Sequence, residues 1–199
     1  MIAILDYGSG NLRSAQRAFE TSGKEVVLTS DYDIALNADG LVVPGVGAFA
    51  ACMQGLAGVR GDQLVRERIA LKRPTLGICV GMQILFSHGV EHGNHDGVGV
   101  WDATVEQLDA PILPHMGWNN INLEKKDPLF DNLDSNSLFY FLHSYYFECY
   151  DKNDILASSA YGVNFSCAIR KNNIYGVQFH PEKSHLYGIE LLNNFAKLK

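Results

Sequence analysis

The chain has 199 residues, and at roughly 150 residues per domain that length points to a single domain. With 47% hydrophobic and 19% charged residues it is too apolar for a disordered chain, and it carries no collagen-like or coiled-coil bias. A formal net charge of −6 makes nucleic acid and anionic membranes poor partners for its bulk electrostatics. The four cysteines, Cys52, Cys79, Cys149 and Cys167, form no C-x-x-C pair and no disulfide framework. The apolar stretches over 41–53 and 75–86 are too short to span a bilayer. The first residues lack a basic segment and a cleavage site, so a cytoplasmic protein without a leader is expected.

In chain order, residues 2–5 form a short apolar run that predicts a buried strand. A turn follows over 7–10. Asn11 is placed to cap a helix running to about residue 21, in which Leu12, Ala15, Ala18 and Phe19 recur at helical spacing. Strands are predicted over 26–28 and 41–43, the second stopped by Pro44-Gly45-Val46-Gly47. Helical patterns cover 48–56 and 62–71. A strand over 75–79 then leads into a helix over 81–88. This alternation argues for an α/β fold, a mostly parallel sheet flanked by helices. Ligands in such sheets sit at the carboxyl ends of the strands, which singles out the loops after Leu5, Val43 and Cys79.

The second half is rich in aromatic and β-branched residues. Strands are predicted over 98–107, 119–122, 138–150, 155–160, 165–169 and 174–179, some of them antiparallel, with turns such as Lys171-Asn172-Asn173 between them. An amphipathic helix over 184–198 closes the chain. No repeat or linker divides it, so residues 1–199 are expected to form one domain.

The sharpest chemical signal is Gly77-Ile78-Cys79-Val80-Gly81, which has the form of a nucleophile elbow with cysteine in place of serine. The flanking glycines allow a tight turn, and a following helix N-terminus favours a thiolate. A buried strand cysteine packed as a small hydrophobe would look the same in isolation. A catalytic thiol needs a base, and His180 in Gln178-Phe179-His180-Pro181-Glu182 is the best candidate. His180 and Glu182 are two apart, so in extended backbone both point the same way and the carboxylate can orient the imidazole. Gly45, Val46 and Gly47, with the N–H of Val80, can cradle an oxyanion. Gly8-Ser9-Gly10 is no dinucleotide fingerprint, because Arg13 holds the third glycine position. His88, His92 and His95 lie in a glycine-rich loop without a strong ligand pattern, so no metal and no cofactor is expected. The aromatic cluster over 139–147 reads as sheet core.

Taken together, Gly77-Ile78-Cys79-Val80-Gly81-Met82-Gln83 and Phe179-His180-Pro181-Glu182 resemble the class I, triad-type glutamine amidotransferases. Further segments are similar to one branch, the glutaminase subunits of imidazole glycerol phosphate synthase in histidine biosynthesis. These are Asp6-Tyr7-Gly8-Ser9-Gly10-Asn11-Leu12, Pro44-Gly45-Val46-Gly47-Ala48-Phe49, Pro114-His115-Met116-Gly117-Trp118-Asn119 and Phe141-Leu142-His143-Ser144-Tyr145. The resemblance implies a flavodoxin-like amidotransferase fold, with Cys79 as nucleophile, His180 as base and acid, and Glu182 as the orienting carboxylate. It implies an oxyanion hole at Gly45, Val46 and Val80. Glutamine would be held by Gly47, Gln83, Glu91, His143, Ser144 and Tyr145, with Glu91 facing the α-ammonium. Asn11, Trp118, Tyr140 and Lys183 would meet a (β/α)₈-barrel cyclase in a heterodimer. A paralogue supplying ammonia to a surface-sugar-modifying synthetase is the alternative. Val80 stands where leucine is common in the family, but a backbone donor there is indifferent to the side chain.

Overall fold

The structure, a computed structural model, describes residues 1–149 and 151–198. Strands β1 (Ile2–Leu5), β2 (Val26–Thr29), β3 (Gly40–Gly45) and β4 (Thr75–Cys79) alternate with helices α1 (Leu12–Glu20), α2 (Tyr32–Asn37), α3 (Phe49–Gly58) and α4 (Gly61–Ala70). The one-turn helix α5 (Val80–Gln83) follows β4 directly. Short strands come next: β5 (Phe86–Gly89), β6 (His95–Asp96), β7 (Trp101–Gln107), β8 (His115–Asn120), β9 (Asn122–Leu123), β10 (Leu138–His143) and β11 (Tyr145–Phe147). Strands β12 (Ile155–Tyr161), β13 (Val163–Lys171) and β14 (Ile174–Val177) lead to the closing helix α6 (His185–Lys197).

Among the described residues the main sheet has eight strands in the order β2-β1-β3-β4-β14-β13-β12-β9. The first five are parallel; β13, β12 and β9 extend the sheet antiparallel. Every residue of β1, β3, β4 and β14 is buried, as continuous apolar runs covered on both faces require. One pairing sets the place of the candidate site. β14, late in the sequence, slots in beside β4, with Ile78 opposite Val177. On the other side of β4, Cys79 lies opposite Gly45 of β3. The carboxyl ends of three adjacent strands thus bring together segments about 100 residues apart in the chain.

Four expectations need correction. The helix predicted over 81–88 is only α5; residues 84–86 are buried all round, and Phe86 instead joins a four-stranded sheet in the order β11-β7-β5-β6. The long strand predicted over 138–150 breaks at Ser144, because β10 pairs with β8 and β11 with β7; Tyr150 lies outside the described residues. Helix α2 was not foreseen, although Asp31 caps it by accepting the Ile34 N–H at 2.9 Å. Asn11 occupies the N-cap position of α1 but makes no capping bond; its ψ of 61° lies outside the extended region that aims a capping oxygen at the first N–H groups.

Candidate active site

Cys79 sits between β4 and α5 at φ 54°, ψ −118°, a conformation costly for any residue with a Cβ. Glycines make the turn possible. A Cβ on Gly81 would lie 2.0 Å from the Val43 carbonyl oxygen, and one on Gly45 would lie 2.3 Å from the Gly81 nitrogen. A Cβ on Gly77 would meet Met82 Cα at 2.6 Å. All three contacts are with backbone, so β3 and the elbow can approach only if these positions lack side chains. The anticipated support from a long helix N-terminus is slight, because α5 is a single turn.

His180 is buried, and its Nδ1 donates to Glu182 Oε1 at 2.8 Å. The backbone that achieves this is not extended as expected: Pro181–Lys183 forms a 3₁₀ turn that folds the carboxylate back beneath the ring. The His180 N–H donates to the Tyr140 carbonyl at 2.8 Å, tying the segment to β10. Asn11 Nδ2 donates to the same Glu182 oxygen at 3.2 Å. The ring's Nε2 is buried with no hydrogen-bond partner, yet Cys79 is near enough to act on it. Burial opposes a charge on this imidazole, but Cys79 and Glu182 outweigh it and push its pKa up to about 10. A base beside the thiol is therefore disposed to hold its proton as an imidazolium.

Cys79 and His180 line a pocket of about 400 Å³. Val46, Gly47, Val80, Gln83, Glu91, His143, Ser144 and Tyr145 line it too. The residues expected to hold glutamine are thus brought together. The two N–H groups of Gln83 are both committed, to the Tyr145 carbonyl at 3.1 Å and to Gln178 Oε1 at 3.0 Å, so only its oxygen is left for a ligand. Glu91 Oε2 accepts the Phe49 N–H at 2.8 Å and so caps α3 from a distance. Val46, expected at the oxyanion hole, is turned away in this conformation. Its N–H donates to Ser9 Oγ at 3.0 Å, and Ser9 returns a bond to the Val46 carbonyl at 2.8 Å. Cys52 Sγ lies 3.4 Å from that same carbonyl oxygen.

The chain matches the class-I glutamine amidotransferase family over residues 3–198. It belongs to that family. This amidotransferase is 50% identical over 203 residues to "Imidazole glycerol phosphate synthase subunit HisH" of Nocardia farcinica, an alignment covering 98% of this chain and 96% of that one. The subunit of the same name from Thermobifida fusca is 48% identical over 98% of this chain and 97% of its own length. Among solved structures, a crystal structure of glutamine amidotransferase shares the fold with a TM-score of 0.74 at 20% identity, covering 96% of this chain and 98% of that one.

Three of the amidotransferase's four expected interface residues share one face. Trp118 lies opposite Tyr140 in the β8–β10 pair, their ring centroids 5.8 Å apart, and Lys183 Nζ sits 5.8 Å above the Tyr140 ring. Asn11 bonds Glu182, the residue before Lys183. Trp118 is 47% exposed and Met116 65%, an unusual display for large apolar residues two positions apart on one strand. Among the described residues no group of three or more His, Cys, Asp or Glu side chains could hold a metal ion; His88 pairs with Asp96 and His95 bonds the Glu91 carbonyl. No described helix is long and apolar enough to cross a membrane. Sequence reasoning assigned no chemistry to Ser9, Cys52, His115, Asn119 or Gln178. Ser9, His115 and Asn119 lie in segments that carried the resemblance, Gln178 stands just before one, and Cys52 lies in none.

Proposed function

We propose that this chain is the glutaminase subunit of imidazole glycerol phosphate synthase, hydrolysing glutamine to glutamate and ammonia for histidine biosynthesis. One observation carries the reading: a cysteine on a strained strand–helix elbow shares a pocket with a buried histidine that is hydrogen-bonded to Glu182. The near full-length likeness to subunits of that name supports it.

Cys79 Sγ attacks the side-chain carboxamide carbon and forms the sulfur–carbon bond. The oxyanion develops toward the backbone N–H of Val80 and, once the Val46 N–H leaves Ser9, toward the 45–47 loop; losing one such donor typically costs about 3 kcal/mol in transition-state stabilisation. His180 gives a proton to the departing nitrogen, the carbon–nitrogen bond breaks and ammonia leaves. Water then attacks the γ-glutamyl thioester while His180 takes its proton, releasing glutamate and the thiol. Glu182 holds the imidazole in place throughout. Gly47, Gln83, Glu91, His143, Ser144 and Tyr145 surround the substrate.

Free ammonia is protonated in water and loses its nucleophilicity, so the product has to reach its acceptor by a protected path. A (β/α)₈-barrel cyclase docked over Asn11, Trp118, Tyr140 and Lys183 provides it, in a cytoplasmic heterodimer in which residues 1–199 act as one domain. Cys79→Ala tests the reading. It abolishes glutamine-dependent synthesis by the complex and leaves ammonia-dependent synthesis intact; loss of both would make Cys79 structural. Rescue of a histidine auxotroph separates this function from that of a sugar-pathway paralogue.

A further inference from the structure

The Cys79 sulfur has neighbours besides His180. Gln178, the residue after β14, is completely buried, and its amide nitrogen lies 3.7 Å from Cys79 Sγ. The Leu142 carbonyl oxygen is also 3.7 Å from the sulfur. A carbonyl can only accept, so it suits the thiol and repels the thiolate. An amide N–H does the opposite: it has most to offer once the sulfur is ionised.

Which end of a glutamine amide faces a neighbour is ordinarily open, but here the surroundings decide it. The Tyr145 carbonyl accepts from Gln83 at 3.1 Å, so the nitrogen of Gln83 faces that way. The same nitrogen lies 3.0 Å from Gln178, which must present its oxygen there. The amide nitrogen of Gln178 is then left facing the sulfur. The anchor is itself held. The Tyr145 carbonyl also accepts from His143 Nδ1 at 2.8 Å, which makes His143 Nε2 an acceptor for His115 Nδ1 at 3.0 Å. His115 Nε2 in turn lies 3.3 Å from Asn119 Nδ2. Every donor and acceptor from β8 to the sulfur is assigned by one consistent pattern.

We propose that Gln178 is a positioning residue for the nucleophile, donating a side-chain N–H to the Cys79 thiolate and held in that orientation by Gln83 and the Tyr145 carbonyl. The assignment rests on the reading of Cys79 as nucleophile. The ionisable groups around the sulfur are His180 and Glu182 from the turn after β14, His143 from β10, Cys52 from α3, Tyr7 after β1 and Glu91 after β5. None is altered by replacing Gln178.

The experiment follows iodoacetamide alkylation of the full-length chain against pH, read at the Cys79 peptide by mass spectrometry. Gln178→Met keeps the volume and removes the donor. It raises the midpoint of Cys79 alkylation by about one pH unit and slows the reaction about tenfold below the midpoint, since a bond to an ionised group is worth that much. Gln83→Met leaves Gln178 in place but frees its amide to turn, and it shifts the midpoint in the same direction, which keeps the test alive if the first variant folds poorly. An unmoved midpoint in both variants overturns the role of Gln178. Wild-type Cys79 that reacts no faster than Cys149 at neutral pH overturns the nucleophile reading, and this proposal with it.

Discussion

Ser9→Ala is expected to raise the activity of the isolated chain. The Ser9 hydroxyl holds the Val46 peptide at both ends, accepting its N–H at 3.0 Å and donating to its carbonyl at 2.8 Å. Val46 is 39% exposed, so each bond falls at the lower end of the usual net range, about 0.5–1 kcal/mol. Removing both shifts the balance by about 1–2 kcal/mol, or about 5- to 30-fold, toward conformations whose Val46 N–H faces the sulfur. Gly47, at φ +92° with nothing within 4 Å of where a Cβ would lie, gives the loop the backbone freedom for that turn. Cys52, 3.4 Å from the Val46 carbonyl oxygen, retains part of the hold and keeps the gain toward the lower figure. The assay is glutamine hydrolysis by the purified chain alone. A rise in kcat of about fivefold or more is expected. Unchanged basal activity in a variant of normal melting temperature would show that the Ser9–Val46 contact does not limit the reaction.

The triad roles predict an order of severity: His180→Ala removes the proton carrier and costs about 10²–10⁴ in kcat, whereas Glu182→Gln costs less because the base remains. The reverse order in steady-state glutaminase kinetics would contradict the assignment. Gly81→Ala forces a Cβ to within 2.0 Å of the Val43 oxygen and, by displacing the elbow, lowers activity by about 10². Gly58→Ala, with nothing within 4 Å, leaves activity unchanged and is the control. Burial lowers the pKa of His115 to about 4 and of His143 to about 3, whereas both take up protons near 6.5 in the unfolded chain. Their contribution to stability is therefore full above pH 6.5 and is lost as pH falls toward the folded values. The two together add a slope of up to about 2.7 kcal/mol per pH unit near pH 5. Urea unfolding of His143→Gln between pH 7 and 5 should show a shallower loss than the unaltered chain, and equal slopes would refute the assignment.

What was legible in the sequence was local. The apolar runs of β1, β3 and β4 announce strands buried on both faces, and the glycines around Cys79 announce a turn too tight for side chains. The partnership of β4 with β14 was not legible, because parallel strands carry no mark of which neighbour they choose. Only motif resemblance placed His180 beside Cys79 before the sheet order was known. Asn11 shows the complementary failure: a residue with good capping chemistry next to a helix pattern is read as a cap. Tertiary structure brings the Glu182 carboxylate within 3.2 Å of its amide nitrogen, while its backbone at ψ 61° lies outside the extended region a capping residue takes. The His180–Glu182 pair is the sharper case. Alternation along an extended strand predicted the contact, and the contact exists, but a 3₁₀ turn after Pro181 makes it. Because an i to i+2 spacing can be closed by either backbone, the spacing identified the partners without identifying the conformation. The orientation of Gln178 toward the sulfur lies further from the sequence still, because it depends on the Tyr145 carbonyl, from another strand, acting through Gln83.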